Sequence, residues 1–126
     1  MEVKYLGTTK ELVSCELETF DNGMAIKFSN GLMIQTMNIL KTVSTSTQWG
    51  SVYRTGFDED TGNFNVPFSE IPTCCLAWTY GSTNATLMTG IGRLVSNIAL
   101  PKFGLIKGSS PSITGYISCI AIGRWK

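Results

Sequence analysis

The segment FDNGMAIKFSNGLMIQ, residues 20–35, decides the fold class of this chain. Asn-Gly pairs at 22–23 and at 30–31 flank a short run in which apolar side chains alternate with other residues. Asn and Gly both tolerate positive φ, which a two-residue type I′ hairpin turn requires at its two central positions. Each pair therefore predicts a hairpin, and the segment as a whole predicts a three-stranded antiparallel meander.

The middle strand of this meander presents two different faces. Successive side chains on a strand point to opposite sides of the sheet. Met24, Ile26 and Phe28 therefore share one face, while Ala25 and Lys27 share the other.

Further β-prone runs recur along the chain, separated by turn residues. Strands at intervals of about 8–12 residues are typical of a sandwich or a barrel. We expect an all-β protein, an antiparallel β-sandwich, with no long helix. After residues 12–20 and the first meander, which closes at about residue 40, the expected strands are 49–57, 64–68, 73–80, 86–95, 98–106 and 112–124. The hydroxyl-rich residues 41–47 fit either an exposed strand edge or a loop.

The N-terminal part of the chain allows two interpretations. Residues 8–11 fit a helix capping box ahead of Val13, Leu17 and Phe20 at helical spacing. The same region also alternates like a strand, and we favour a strand from about residue 12 because a turn follows it directly. We assign residues 1–11 to a linker or the end of a stalk, and residues 12–126 to one β-sandwich domain.

The composition excludes several classes of protein. Hydrophobic residues make up 43% of the 126 and charged residues only 15%, against roughly 25% charged in typical soluble proteins. The net charge is +1 with no basic run, so we expect no binding to nucleic acid. No apolar stretch approaches the roughly 20 residues of a membrane span, and the first residues lack a secretory signal. We expect synthesis in a cytoplasm, or excision from a longer chain, and no membrane insertion.

Cysteine and histidine usage argues against metal and nucleophilic chemistry. The four cysteines, at positions 15, 74, 75 and 119, form no CxxC motif. We expect them to be free, small, buried hydrophobes rather than disulfide partners or zinc ligands. The chain has no His, which removes Ser-His and Cys-His catalysis and His metal ligation. No metal and no cofactor are expected.

The acidic turn Asp58-Glu59-Asp60 has three interpretations. A solvated turn is favoured, and weak calcium binding comes second because further oxygen ligands and a distal Glu are missing. A glycosidase pair comes last, since such enzymes need two carboxylates on either side of a bond, roughly 5–10 Å apart.

Three motifs resemble a known family. They are FDNGMAIKFSNGLMIQ, then FNVPFSEIPTCCLAWTY at 64–80, then ITGYISCIAIGRWK at 113–126. In this order they resemble the C-terminal receptor-binding domains of bacteriophage tail fibres and the related H-type lectins, although Cys119 stands where a Trp is usual. The resemblance covers most of residues 16–126. It implies an antiparallel β-sandwich in a homotrimer at a fibre tip, in the virion, binding carbohydrate on the bacterial surface through avidity.

Sugar recognition guides the choice of candidate binding residues. An aromatic face packs against sugar C–H groups while planar polar side chains bind the hydroxyls. Loops on a rigid β scaffold vary freely, so we expect the contacts in three segments, 49–54, 58–63 and 80–84. The candidates are Trp49, Tyr53, Arg54, Asp58, Asp60, Asn63, Tyr80 and Asn84. Gln35 is a further polar candidate, whereas Trp78 is expected in the core; for any single aromatic, core or subunit-interface packing is the alternative.

Three classes of function follow from these patterns. The first is a non-enzymatic, carbohydrate-binding fibre tip. The second is a structural cap that trimerises and protects the end of a fibre. The third is a polysaccharide depolymerase that uses the carboxylates of residues 58–60.

Overall fold

A computed structural model describes residues 13–56, 59–79, 86–89, 96–108 and 112–126. The described residues form strands and connecting segments and contain no helix. The strands are β1 Cys15–Phe20, β2 Gly23–Phe28, β3 Leu32–Ser44, β4 Thr47–Trp49, β5 Val52–Arg54, β6 Thr73–Thr79, β7 Thr86–Thr89, β8 Gly104–Lys107 and β9 Ser112–Arg124.

The strands form two antiparallel sheets. The five-stranded sheet has the order β1-β2-β3-β9-β6, and the four-stranded sheet has the order β4-β5-β8-β7. The longest ladder of the five-stranded sheet joins β3 to β9 over 13 residues of each strand, from Leu32 opposite Arg124 to Ser44 opposite Ser112. The prediction of an all-β, antiparallel fold is confirmed, and so is the meander β1-β2-β3.

The core lies against the inner face of the five-stranded sheet and has two parts. One part lies between the two sheets; its buried members are Val43, Phe103, Leu105, Ile113 and Ile117. The other part lies where connecting segments, rather than strands, cover the sheet; its buried members are Ala25, Met33, Met37, Phe64, Phe68, Leu100, Cys119 and Ala121. One sheet is therefore covered by a second sheet at one end and by irregular chain at the other.

Both hairpin turns of the meander differ from the predicted type I′ turn. No described residue other than glycine has a positive φ, which excludes that turn at either Asn-Gly pair. Phe20 pairs with Gly23, so Gly23 belongs to β2 instead of the turn. A side chain there would collide with the carbonyl oxygen of Thr36, which explains the glycine. The second connection has three residues and uses Gly31 at φ 98°.

Residues 64–68 do not form the predicted strand, and a buried side chain holds this segment in place. Gln35 is 1% exposed. Its Nε2 donates to the carbonyl of Val66 at 2.6 Å and its Oε1 accepts from the Val66 N–H at 3.3 Å. The segment is therefore held by a glutamine that satisfies its backbone, not by a ladder. This use also removes Gln35 from the sugar-binding candidates.

Other strand boundaries also differ from the predictions. The strand predicted at 49–57 is a hairpin, because Gly50 takes φ 63° and the chain turns between β4 and β5. Residues 41–44 continue β3 and pair with β9 on one side only, because the ladder with β2 stops at Met37. Of the two predicted alternatives, the exposed strand edge fits there and the loop does not. The strand predicted at 98–106 forms only from Gly104. The last strand, 112–124, is confirmed.

Candidate binding surfaces

The outer face of the five-stranded sheet is apolar at one end. There Leu17 pairs with Ile26, Ile26 with Ile34 and Ile34 with Ile122, so one row of aliphatic side chains crosses four strands. Leu17 is 61% exposed and Ile122 is 46% exposed. We call this surface the apolar zone; its members are Cys15, Leu17, Met24, Ile26, Phe28, Leu32, Ile34, Cys75, Ile120 and Ile122.

The apolar zone is unusual in its lack of charge. An antiparallel sheet with one face on the core normally presents polar side chains on the other face. Here the pairing places only one charged residue, Arg124, among the outward positions of the whole five-stranded sheet. Three rows of side chains across five strands give a footprint of roughly 500 Å². Apolar patches of a few hundred Å² or more mark interaction surfaces.

The other end of the same face carries hydroxyls and amides. Along β3 and β9, two cross-strand pairs of outward side chains there are hydrogen-bonded. The Thr42 and Thr114 hydroxyls lie 2.6 Å apart, and the Ser118 hydroxyl donates to Asn38 Oδ1 at 2.8 Å. We call this surface the hydroxyl zone; its members are Asn38, Leu40, Thr42, Ser44, Ala77, Thr79, Ser112, Thr114, Tyr116 and Ser118.

A shallow depression lies within the hydroxyl zone, on the side nearer the apolar zone. It has a volume of about 340 Å³ and is lined by Asn38, Thr79, Tyr116 and Ser118. Tyr116 is 51% exposed. Tyr116 pairs with Thr79, and Ser118 is paired with Asn38, so the four side chains come from three adjacent strands. An aromatic ring, a planar amide and two hydroxyls therefore meet on rigid backbone.

A second depression lies beside the C-terminal residues. It has a volume of about 220 Å³ and includes Lys27, Trp125 and Lys126 in its lining. The Trp125 indole N–H donates to the Phe28 carbonyl at 2.8 Å. The ammonium groups of Lys27 and Lys126 lie 5.5 and 4.8 Å from the ring centroid. Because both cations already engage the ring, this depression is an internally satisfied cluster.

The sugar-binding candidates of β4 and β5 do not share one face. Trp49 lies opposite Val52 and Thr47 opposite Arg54, which puts Trp49 and Arg54 on one side of the hairpin. Tyr53 is on the other side, opposite Gln48. Trp49 is 56% exposed, and the Arg54 Nη1 donates to the Thr55 carbonyl at 3.0 Å.

Asp60 and Asn63 lie farther along the chain from that hairpin. Asn63 forms a bridge with Ala99, whereas Tyr53 is opposite Lys107 at the other end of the same partner segment. The Asp60 carboxylate accepts the Gly62 N–H at 3.1 Å, as in a turn stabilised by its own side chain. The structure therefore does not bring these two residues together with Trp49 and Tyr53.

The remaining candidates have different outcomes. Asp58, Tyr80 and Asn84 lie outside the described residues. Trp78 was expected in the core, and this is confirmed, since its half-buried ring stacks on Phe103 with centroids 6.3 Å apart. Sequence reasoning missed Asn38, Thr79 and Ser118, although on one face every second residue of 38–44 and 112–118 except Leu40 is polar or aromatic.

The cysteines only partly match the expectation of burial. Cys119 is buried and Cys74 is half-buried, but Cys15 and Cys75 are exposed. Cys74 and Cys119 have their sulfur atoms 3.3 Å apart. The hydrogen bond from Cys119 lowers the pKa of Cys74, and that bond together with burial raises the pKa of Cys119. Cys75 belongs to the apolar zone.

Comparisons with known proteins give no relative for this chain: no family model, no curated protein and no solved structure matches it. No helix in the described residues is long and apolar enough to cross a membrane. Within the same residues, no three or more His, Cys, Asp or Glu side chains are grouped so that they could hold a metal ion.

Proposed function

We propose that this chain is the receptor-binding domain at the tip of a bacteriophage tail fibre. In this proposal the two sheets form a β-sandwich, three copies assemble into a homotrimer in the virion, and the trimer binds carbohydrate on the bacterial surface without cleaving it. The chain is made in the cytoplasm of the host, needs no metal or cofactor, and neither binds nucleic acid nor inserts into a membrane.

The observation that carries the proposal is the apolar zone. Its footprint of roughly 500 Å² is of the same order as the ~800 Å² that each partner contributes to a stable interface. Aliphatic side chains on it are strongly exposed, with Leu17 at 61% and Ile120 at 54%. Cores of interfaces are depleted in charge, and the outward positions at this end of the sheet include a single charged residue, Arg124, opposite Leu32. A second and a third copy of the chain present the same apolar surface, so in a three-fold ring one part of the zone on each copy contacts a different part of the zone on the next copy.

The mechanism that we propose for binding is avidity. A symmetric trimer presents three identical weak sites on one rigid knob, and several fibres multiply that number. Binding of a second site is then governed by effective concentration rather than by a new encounter, so the residence time rises without any tight single site. A polymer of repeating sugars suits this arrangement because it offers many copies of one epitope.

The structural-cap alternative draws on the same apolar zone, because a cap also has to trimerise. It differs in having no receptor. The depolymerase alternative has less support, because the Asp60 carboxylate already accepts the Gly62 N–H of its own turn.

Binding to bacteria tests the proposal. The fluorescently labelled trimer is incubated with a panel of bacterial strains, and the purified envelope polysaccharide of each strain is used as a competitor. The proposal expects labelling of some strains, competition by their polysaccharide, and no fall in polymer size. Absence of labelling on every strain, with trimers intact, would favour the cap. A fall in polymer size that the Asp60→Asn variant abolishes would favour the depolymerase.

A further inference from the structure

The depression lined by Asn38, Thr79, Tyr116 and Ser118 has the chemistry of a sugar site. We propose that it binds one neutral hexose or N-acetylhexosamine unit. The proposal rests on the carbohydrate-binding function given above and replaces the β4–β5 hairpin as the expected place of contact.

The Tyr116 ring supplies the apolar platform. It is 51% exposed, although it stands in the middle of a strand with hydrogen-bonded neighbours on both sides. Its partner across the ladder, Leu40, is 59% exposed. A half-exposed ring flanked by an aliphatic side chain offers a flat surface for the C–H face of a pyranose, and burying that surface is favourable.

The polar side chains supply directional contacts to sugar hydroxyls. The Ser118 hydroxyl donates to Asn38 Oδ1 at 2.8 Å, which fixes the amide plane. Among the described residues, no acceptor is bonded to Asn38 Nδ2. This group therefore has two N–H donors to offer, and the Thr79 hydroxyl can donate as well as accept. A sugar hydroxyl, which also donates and accepts, matches such a set.

The absence of charge selects the class of sugar. None of the four lining residues is Asp, Glu, Lys or Arg, and none of the outward positions beside them on β3 and β9 is either. Recognition of a carboxylate or sulfate on a sugar normally uses Arg or Lys. The volume of about 340 Å³ is close to the lower end of the ~300–1,000 Å³ typical of small-molecule sites. A single neutral sugar unit fits these features.

The position of the depression is compatible with assembly. Asn38 and Ser118 form the row next to the apolar zone, so the depression lies at the rim of the surface that we assign to the trimer interface. Sites carried by strands are held more precisely than sites on loops. Three such depressions in a trimer lie on one rigid body, as the avidity argument requires.

Nuclear magnetic resonance titration of the intact, isotopically labelled trimer tests this site. The probes are glucose, galactose, N-acetylglucosamine and N-acetylgalactosamine, with glucuronic acid as the acidic comparison. Each sugar is added up to about 50 mM, because a dissociation constant near 1 mM for a single sugar corresponds to only about 4 kcal/mol of binding free energy. We expect saturating shifts of the Asn38, Tyr116 and Ser118 signals with at least one neutral sugar. We expect Tyr116→Ala to weaken that binding at least about tenfold.

Matched variants keep the result interpretable. Thr42 lies on the same strand and face as Asn38 but outside the depression. The sugar affinity of Thr42→Ala should therefore equal that of the wild type. Tyr116→Phe keeps the ring and should retain most of the affinity. If Tyr116→Ala does not fold, Asn38→Ala replaces it and should also weaken binding.

Several outcomes overturn the inference. Shifts that map to Trp49 and Tyr53, with Tyr116→Ala binding as tightly as the wild type, place the site elsewhere and leave the proposed function standing. Preferential binding of glucuronic acid at the depression overturns the neutral class. If no neutral sugar shifts any signal, the depression is not a sugar site. The cell-labelling experiment separately decides the proposed function.

Discussion

The outer face of the β3–β9 ladder changes character halfway along its length. At one end Ile34 lies opposite Ile122, and at the other Thr42 lies opposite Thr114. The two ends share the same strands and the same pairing, so backbone structure does not explain the difference. What differs is the expected environment: hydroxyls bonded to each other at 2.6 Å tolerate water, whereas an exposed aliphatic row gains free energy only when something covers it.

The inner side of the sheet changes at the corresponding place. Behind the apolar zone the core is completed by Phe64, Phe68 and Leu100, which belong to connecting segments. Behind the hydroxyl zone it is completed by Phe103 and Leu105, next to or within the second sheet. The half of the sheet without a strand layer on its inside is therefore the half that is apolar on both faces. In the proposed function, another copy of the chain covers the apolar zone.

The largest effect is expected from charges in the apolar zone. In the double variant Ile34→Arg with Ile122→Arg, assembly would bury unpaired guanidinium groups, which costs several kcal/mol. We expect the association constant of the trimer to fall at least about a thousandfold, equivalent to about 4 kcal/mol. Size-exclusion chromatography with light scattering measures this change.

The matched control for that variant is Thr42→Arg with Thr114→Arg. It introduces the same charges on the same two strands, but in the hydroxyl zone, and should leave the trimer intact. Equal loss of assembly in both double variants would mean that the two zones do not differ in the way described.

The next effect concerns the connecting segments behind the apolar zone. Phe68 is 2% exposed and its ring packs edge-on against Phe64 at 5.0 Å. Phe68→Ala should lower the free energy of unfolding by about 3–5 kcal/mol, because the cavity is only partly refilled. Urea denaturation in the monomeric arginine background measures it. Ile98→Ala, at a residue 50% exposed, is the control and should change stability by less than about 1 kcal/mol.

These observations also show what the sequence could and could not predict. The period-2 alternation at 24–28 predicted β2 and its two faces, but not which face is buried. The structure buries Ala25 and leaves Met24 42% exposed. Both faces carry apolar residues, so alternation alone cannot distinguish core from interface. The last strand was predictable because the turn residues 108–111 precede a long β-prone run that contains no Pro.

The candidate site was harder to predict than the fold. Asn38, Thr79 and Ser118 come from three strands that are distant in sequence, and only the register of β3, β9 and β6 brings them together. The predicted contacts at Trp49 and Asn63 relied on their being near each other. They are separated because the chain turns at Gly50 and then runs along the partner segment from Lys107, opposite Tyr53, to Ala99, opposite Asn63.

A smaller effect is expected on the rate at which a thiol reagent reaches the apolar zone. Cys75 is exposed in the single chain and belongs to the apolar zone. We expect iodoacetamide to alkylate it about tenfold or more slowly in the wild-type trimer than in the monomeric arginine variant, because the reagent needs an accessible thiolate. Mass spectrometry of the modified peptide in a Cys74→Ala background measures the rate. Cys119, which is buried, should react slowly in both proteins and serves as the reference.

The smallest effect is expected in the hydroxyl zone. Thr42→Val removes the 2.6 Å hydrogen bond to Thr114, which is exposed to solvent. Water replaces the lost partner, so the free energy of unfolding should change by no more than about 1 kcal/mol, with the trimer unchanged. A loss of several kcal/mol in thermal or urea denaturation would mean that this zone is covered too.

Sedimentation equilibrium of the wild-type chain tests the central claim most directly, because assembly through the apolar zone underlies both the proposed function and the comparison above. From about 1 to 100 μM, which lies at and above a dissociation constant of about 1 μM or about 8 kcal/mol, the account predicts a single species with three times the mass of the chain. A monomer, or a dimer that does not proceed to a trimer, across that whole range would contradict it.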